Sequence, residues 1–261
     1  ALALAIVLGP RIGFGKVPMR PHNLTLVMLG AALLWFGWFG FNAGSALGAG
    51  SLAGLAFVNT LVAPGAAMLA WLVTERVRDG HATSLGAASG IVAGLVAITP
   101  AAAVVSPLGA IAIGAIAGVG CSYAVSLKYK LGVDDSLDVV GVHLVGGLIG
   151  TLAIGFFAER RFAGGAGTAG LFFGGGFGQL GRQAAGAFAV LAYSLVVSFV
   201  IAYLLKVTMG IRVEPKFESS GLDVQVHAET GYDLSRVQYS SYSVRKTLLV
   251  PDESVTEEVH A

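Results

Sequence analysis

The sequence predicts an all-α integral membrane protein, a polytopic helical bundle of one helical stub and six transmembrane helices. Two features of the composition support this prediction: hydrophobic residues make up 55% of the 261-residue chain, and charged residues only 12%. A soluble domain carries about twice that share of charge. The third feature is the distribution of apolar residues, which lie in runs close to the ~20 residues that a membrane-spanning helix needs.

The first residues, ALALAIVLG, form a short apolar segment that Gly9-Pro10 ends. A helix of this length extends about 13 Å at 1.5 Å per residue, which is too short to cross a bilayer. We therefore expect residues 1–9 to be a truncated transmembrane helix. The same reasoning leads us to expect that the chain is a piece of a longer protein.

The loops give the predicted topology. Residues 11–21 contain Arg11, Lys16 and Arg20 and no acid, so the positive-inside rule places this loop in the cytoplasm. The Gly-rich loop of residues 158–183 is expected outside despite its Arg residues, because long loops cross the membrane largely regardless of charge. The expected spans are 21–45, 52–74, 84–99, 108–127, 137–157 and 184–209. They form one transmembrane domain, residues 10–210, and the polar residues 211–261 form a cytoplasmic tail.

Small residues four apart predict close helix packing in three of these spans. The pairs are Gly90/Gly94, Gly114/Gly118 and Gly146/Gly150. Asn42 and Asn59 are expected to form hydrogen bonds between helices, and Glu75 is expected to be a solvated helix end. The single cysteine, Cys121, allows no disulfide framework and is interpreted as a small buried apolar residue.

One face of the first full span carries a graded set of side chains. Leu34, Trp38, Phe41 and Ser45 are spaced 4, 3 and 4 residues apart, so they lie on one side of a helix. Aromatic faces attract small cations, and a hydroxyl group can accept a hydrogen bond. The alternative interpretation is an ordinary aromatic belt at the membrane–water boundary.

The fifth full span contains His143, and a histidine within a membrane helix is a functional candidate. The alternative is a neutral histidine that is hydrogen-bonded to a neighbouring helix. Asp135, Val139 and His143 are expected on one face of this span at i, i+4 spacing. Asp134, Asp135 and Asp138 are expected to stabilise the helix N-terminus; the alternatives are steering of cations and docking of a partner.

Three segments together resemble a known family. The first is LWFGWFGFNAGS with the preceding PHNL, which resembles the sixth membrane helix of the ammonium transporter family (Amt/Mep/Rh). GVHLVGG resembles the family segment that carries one of two pore histidines. GLDVQVHAETGY resembles the segment that follows the last helix, with Ala228 where the family has Gly and Gly231 where it has Ala. The resemblance extends from the first loop to Tyr232.

The resemblance implies a bundle of the ammonium transporter type, in which this chain supplies helices six to eleven of eleven. It implies that Ser45, Phe41 and Trp38 recruit ammonium at the outer mouth, with Phe41 gating entry. It also implies that ammonia is conducted through a narrow apolar pore lined by His143, Leu34, Val92 and Val139. The partner of His143 would precede residue 1.

The family also implies a homotrimer in the cell membrane, surrounded by lipid, with a PII-type signalling protein as a possible partner at the cytoplasmic face. Two other functions remain open: an ammonium sensor that signals through its tail, and an ion-coupled transporter of another small solute. The sequence shows no nucleophile–base set, metal cluster or phosphate loop. We therefore expect no enzyme activity and no cofactor, and we expect no nucleic-acid partner.

Overall fold

The computed structural model describes residues 1–162 and 167–232. These residues belong to two compact units, Ala1–Arg212 and a second unit that begins at Val213. In the described ranges, helices are the only regular secondary structure. The prediction of an all-α fold is therefore confirmed.

The described residues contain ten α-helices, one π-helical turn and one 3₁₀ turn. Their bounds are α1 Leu2–Leu8, α2 Leu24–Gly44, α3 Ser51–Asp79, α4 Ser84–Ile98, α5 Pro107–Ala124, α6 Leu127–Leu131, α7 Val145–Phe157, α8 Gly178–Thr208, α9 Pro215–Ser220 and α10 Leu222–Val226. A π-helical turn, Val140–Leu144, leads directly into α7, and a 3₁₀ turn, Leu171–Phe173, precedes α8.

Five helical segments of the described chain have the length and hydropathy to cross a membrane. They are α2, α3, α5 with α6, the π turn with α7, and α8. The sixth expected span, α4, has only 15 residues, which cover about 22 Å at 1.5 Å per residue. It is apolar and largely buried between its neighbours.

Several predicted boundaries are wrong, and α3 continues to Asp79 rather than ending at residue 74. α8 begins at Gly178 rather than at residue 184, because the segment GQLGRQ is polar and Gly-rich yet continues the helix. Arg182 is tolerated in the second turn, where its guanidinium lies 3.4 Å from the side-chain oxygens of Thr168 and Gln179. The helix that carries His143 begins with the π turn at Val140 rather than at residue 137.

The core is built on backbone contacts between α3, α4 and α5. A Cβ atom on Gly114 or Gly118 would collide with the carbonyl oxygens of Ala63 and Ala67 in α3. A Cβ atom on Gly94 in α4 would lie 2.6 Å from the Cα atom of Pro64, in the same stretch of α3. α3 therefore lies directly against both neighbours, as the small-residue pairs predict.

Both intramembrane asparagines form the predicted bonds between helices. The side-chain nitrogen of Asn59 donates to the carbonyl oxygens of Ala102 and Val105, both at 2.8 Å. Asn42 in α2 donates to the hydroxyl oxygen of Thr60 in α3 at 2.9 Å. These bonds hold α3 against α2 and against the turn that follows α4.

The expectation for Glu75 is wrong, since its carboxylate is buried between α3 and α4. It accepts hydrogen bonds from the indole nitrogen of Trp71 at 3.0 Å and from the backbone N–H of Thr83 at 2.8 Å. Gly86 has no side chain and leaves room for the carboxylate. Glu75 therefore fastens the end of α3 to the N-terminus of α4, where a negative charge is favourable.

The described part of the second unit contains the short helices α9 and α10. α10 is followed by Ala228, whose φ is +55°. This is the left-handed region, which a glycine adopts without a steric penalty and an alanine does not.

Candidate functional site

The aromatic face of α2 ends in a connected set of side chains. The indole nitrogen of Trp38 donates to the hydroxyl oxygen of Thr99 at 2.7 Å. The Trp38 and Phe41 rings meet edge to face, with centroids 5.8 Å apart and an interplanar angle of 79°. Ser45 donates its hydroxyl hydrogen to the carbonyl oxygen of Phe41 at 2.6 Å. The lone pairs of the Ser45 oxygen remain to accept a hydrogen bond.

Phe41 and Ser45 line one cavity of about 240 Å³, which we call the Ser45 cavity. Thr99 and Asn42 lie on its wall. Thr99 is a residue that the sequence analysis missed. Its only sequence signal is a hydroxyl side chain placed immediately before Pro100 at the end of a span, and nothing in that pattern connects it to Trp38.

Trp38 faces a neighbouring space, the α2 groove, with a volume of about 500 Å³. The groove is almost entirely apolar, and Leu34 and Phe41 also line it. Trp38 does not line the Ser45 cavity. It contacts two residues of the cavity wall, Phe41 and Thr99.

His143 lies on the π turn Val140–Leu144 and is exposed on the surface of this chain. The described residues offer its imidazole no hydrogen-bond partner, which argues against the alternative of a histidine satisfied by a neighbouring helix in this chain. A Cβ atom on Gly141 would lie 2.9 Å from the Cα atom of Val125. This close contact fixes the turn against the end of α5.

The carboxylate of Asp135 caps the turn that carries His143. It accepts hydrogen bonds from the backbone N–H groups of Val139 at 3.0 Å and Val140 at 2.7 Å. The predicted role of Asp135 at a helix N-terminus is confirmed. The prediction that Asp135, Val139 and His143 share one helical face is wrong, because the helix begins after Asp135.

The other two acids form ion pairs instead. Asp134 is paired with the guanidinium of Arg11 and accepts the backbone N–H of Arg11 at 2.8 Å. Asp138 lies 2.5 Å from the ammonium nitrogen of Lys128. Burial raises the pKa of Asp138, and Lys128 opposes that rise. These pairs place the first loop, the end of α5–α6 and the start of the His143 turn at the same end of the bundle.

His143, Leu34 and Val92 line one cavity of about 440 Å³, which we call the His143 cavity. Asp138 lies on the same wall. Val139 does not line this cavity. It lies with His143 on a separate space of about 320 Å³ beside α1 and α8. His143 also borders a groove of about 470 Å³ between α7 and α8.

Two shared residues connect these spaces along α2. Phe41 lines both the Ser45 cavity and the α2 groove, and Leu34 lines both the groove and the His143 cavity. The Ser45 cavity, the α2 groove and the His143 cavity therefore follow one another along α2, and we call this succession of spaces the α2 path. At one end of the path are an acceptor oxygen and two aromatic rings, and at the other is a group that can donate or accept a hydrogen bond.

Comparison with known proteins identifies the family. The profile of the Ammonium Transporter Family matches residues 1–232. The chain belongs to the ammonium transporter family. Its fold is thus a polytopic membrane bundle of the ammonium transporter type, and the family consists of membrane transporters rather than enzymes, as the sequence predicted.

Curated relatives are similar along nearly the whole chain. An ammonium transporter of Mycobacterium tuberculosis is 59% identical over 252 residues, which are 95% of this chain and 53% of that protein. An ammonium transporter of Aquifex aeolicus is 47% identical over 231 residues, 88% of this chain and 53% of that protein. The chain thus spans about half the length of the curated relatives it matches.

Solved structures in the same family have a similar fold. A structure titled Sensor Amt Protein superposes with a TM-score of 0.78 at 35% identity, covering 86% of this chain and 56% of that one. The crystal structure of Candida albicans Mep2 gives a TM-score of 0.74 at 36% identity, covering 82% of this chain and 49% of that one. The ammonium transporter bundle is therefore formed by sequences that differ at most positions.

Proposed function

We propose that the full-length protein is an ammonium transporter or channel of the cell membrane. Ammonium is recruited at an outer site formed by Ser45, Phe41 and Trp38. Ammonia is then conducted through a narrow apolar pore lined by His143, Leu34, Val92 and Val139. The single observation that carries this proposal is the α2 path, the succession of the Ser45 cavity, the α2 groove and the His143 cavity along one helix.

The outer site is suited to a small cation. The edge-to-face pair of Trp38 and Phe41 presents aromatic surface, and an aromatic face within about 6 Å attracts a cation by about 0.5–2 kcal/mol. The oxygen of Ser45 supplies an acceptor for an N–H group. Phe41 is exposed at the boundary between the Ser45 cavity and the α2 groove, where movement of its ring would open or close the path.

The path beyond Phe41 favours ammonia over cations. Ammonium can lose a proton and potassium cannot, although both are monovalent cations of similar size. A dry apolar passage disfavours the charged form and so lowers the effective pKa of ammonium. Neutral ammonia can then cross where a bare cation meets a high barrier. The neutral imidazole of His143 donates and accepts hydrogen bonds without a fixed charge, as the passage requires.

A liposome flux measurement tests the proposal. The native full-length protein is reconstituted, and uptake of ¹⁴C-methylammonium is measured with potassium flux in the same vesicles. The proposal expects saturable methylammonium uptake that excess ammonium inhibits, without potassium conductance. Equal rates for potassium and methylammonium, or no protein-dependent uptake, would contradict it.

A second candidate, an ammonium sensor, has one observation in its favour, the similarity to the structure titled Sensor Amt Protein. A sensor would bind ammonium along the same path and would pass the signal to a partner through its tail. Residues 233–261, which would have to carry the output, lie outside the described residues. Removal of residues 233–261 separates the candidates: a sensor keeps uptake and loses the cellular response to ammonium, whereas a transporter without signalling has no such response to lose.

We further propose that the protein forms a homotrimer, with its tail in the cytoplasm and a PII-type protein as a possible partner there. Arg11 and Lys128 form ion pairs with Asp134 and Asp138 and so lie at the same end of the bundle. Loops rich in basic residues are typical of the cytoplasmic side of a membrane protein. The mass of the detergent-extracted complex tests the trimer. Accessibility of a cysteine placed in the tail, measured in sealed cells, tests its location.

A further inference from the structure

The hydrogen-bond donors of the α2 face are all used within the fold. Trp38 has one polar hydrogen, on its indole nitrogen, and it goes to Thr99 at 2.7 Å. The hydroxyl of Thr99 in turn donates to the carbonyl oxygen of Leu95 at 2.7 Å. Ser45 also has one polar hydrogen, and it goes to the carbonyl of Phe41. Neither side chain has a donor left for a ligand.

The groups that remain available on this face are all electron-rich. They are the lone pairs of the Ser45 oxygen and the π faces of the Trp38 and Phe41 rings. Ammonium and methylammonium carry several N–H donors and no acceptor, so they match such a surface. Water and other neutral ligands with an acceptor oxygen find no donor for that oxygen among Trp38, Phe41 and Ser45, and they bind less well than in an ordinary polar site.

We propose that Thr99 is a positioning residue that keeps the indole donor of Trp38 turned away from the α2 face, and that it thereby sets the preference for ligands that only donate hydrogen bonds. This inference rests on the proposed function of the Ser45 cavity. Thr99 acts through Trp38: its oxygen accepts the indole N–H, which fixes the ring against Phe41 and turns the positive end of the N–H dipole away from the cation. Loss of the Thr99 hydroxyl frees this dipole to point towards the bound cation, where it repels.

Thr99→Val tests the inference, since valine has nearly the same shape and lacks the hydroxyl. In the native full-length protein, we expect the KM for methylammonium to rise about three- to tenfold, the effect of one lost hydrogen bond, with kcat changed less than twofold. Thr99→Ser keeps the hydroxyl and should keep the wild-type KM. Thr74→Val is the matched control, because Thr74 also donates to the carbonyl oxygen four residues earlier, at 2.7 Å. Thr74 lies near the C-terminal end of α3 and lines neither the Ser45 cavity nor the α2 groove.

A spectroscopic measurement tests the Trp38–Thr99 bond without transport. In protein labelled with ¹⁵N-tryptophan, the Trp38 indole resonance is assigned by its loss in Trp38→Phe. It should shift in Thr99→Val and stay in place in Thr99→Ser and Thr74→Val. In a Trp38→Phe background, Thr99→Val should add no further change in KM.

Several outcomes would overturn the inference. They are an unchanged KM in Thr99→Val, an equal rise in Thr99→Ser, or an indole resonance that does not respond to position 99. If Thr99→Val does not reach the membrane folded, Thr99→Cys takes its place, because its thiol is a weak acceptor and the same rise is expected. If the wild type shows no uptake, the proposed function fails, and the resonance still decides whether Thr99 holds Trp38.

Discussion

The hydroxyl of Ser45 donates its hydrogen to the carbonyl oxygen of Phe41, 2.6 Å away and four residues earlier in the same helix. The bond orients the oxygen so that its lone pairs remain for a ligand in the Ser45 cavity. We predict that Ser45→Ala raises the KM for methylammonium more than it lowers kcat. The lost acceptor is worth about 0.5–1.5 kcal/mol, or roughly a two- to tenfold change in KM.

The measurement is concentration-dependent uptake by the full-length protein in liposomes. Ser219→Ala is the control, because Ser219 donates to the carbonyl of Pro215 at 3.0 Å, again four residues earlier, and lies outside the transmembrane unit. A change confined to kcat in Ser45→Ala would show that Ser45 does not hold the cation.

His143 is the polar end of the path and has no hydrogen-bond partner within the described residues. We predict that His143→Ala lowers methylammonium flux at least tenfold or abolishes its selectivity over potassium, because the passage loses a neutral group that both donates and accepts. Uptake and potassium conductance are measured in the same liposomes. His81→Ala serves as the control, since His81 is exposed in the turn between α3 and α4. Unchanged uptake with normal expression would exclude the role given to His143.

Asp135 supports His143 from outside the helix. Its carboxylate accepts the N–H groups of Val139 and Val140 at the start of the π turn. We predict that Asp135→Ala destabilises the folded protein by about 1–3 kcal/mol, because buried N–H groups lose a charged acceptor. Asp135→Asn keeps one acceptor oxygen and should lose less.

Thermal unfolding in detergent measures this effect, and uptake measures its consequence for His143. Asp134→Asn is the matched control, because it removes the neighbouring acid, whose carboxylate pairs with Arg11 and not with the His143 turn. Equal loss of uptake in Asp134→Asn and Asp135→Ala would show that the turn does not depend on its cap.

The close contact of α5 with α3 gives a stability prediction. Gly114 lies where a Cβ atom would collide with the carbonyl of Ala63. We predict that Gly114→Ala lowers the free energy of unfolding by about 1–3 kcal/mol, the usual cost of overpacking a core. Gly54→Ala in α3 is the control, because nothing lies within 4 Å of the position of its Cβ atom. That change should be neutral or slightly stabilising. A similar unfolding temperature for both variants would contradict this account.

The sequence was sufficient to predict the features that follow from local composition and spacing. Apolar runs predicted the spans, and glycine pairs such as Gly114/Gly118 predicted where helices would meet. The family resemblance, rather than spacing, suggested Leu34 and His143 as neighbours, and both line the His143 cavity. Features that depend on contacts between distant segments were not predictable in this way. Glu75 looked like a solvated helix end, because its partner Thr83 belongs to the next helix.

The partner of Trp38 was missed for the same reason. Thr99 is 61 residues away in the chain, and only the packing of α2 against the end of α4 reveals the bond. The start of α8 was misplaced because glycine and arginine usually indicate a loop, and here the helix continues through them. The separate roles of Asp134 and Asp138 depend on Arg11 and Lys128, whose approach cannot be read from local sequence.

The tail carries a backbone conformation that its residue does not favour. Ala228 has a φ of +55°, which lies in the left-handed region that favours glycine. We predict that Ala228→Gly makes the turn after α10 more stable by about 1 kcal/mol, because glycine adopts the left-handed region without the Cβ clash. Hydrogen exchange of the amides after α10 in the full-length protein should slow by about fivefold.

Ala184→Gly in α8 is the control, and it should have the opposite, destabilising effect, because glycine within a helix costs about 1 kcal/mol relative to alanine. Faster exchange at the tail in Ala228→Gly would show that the left-handed conformation is not held in solution.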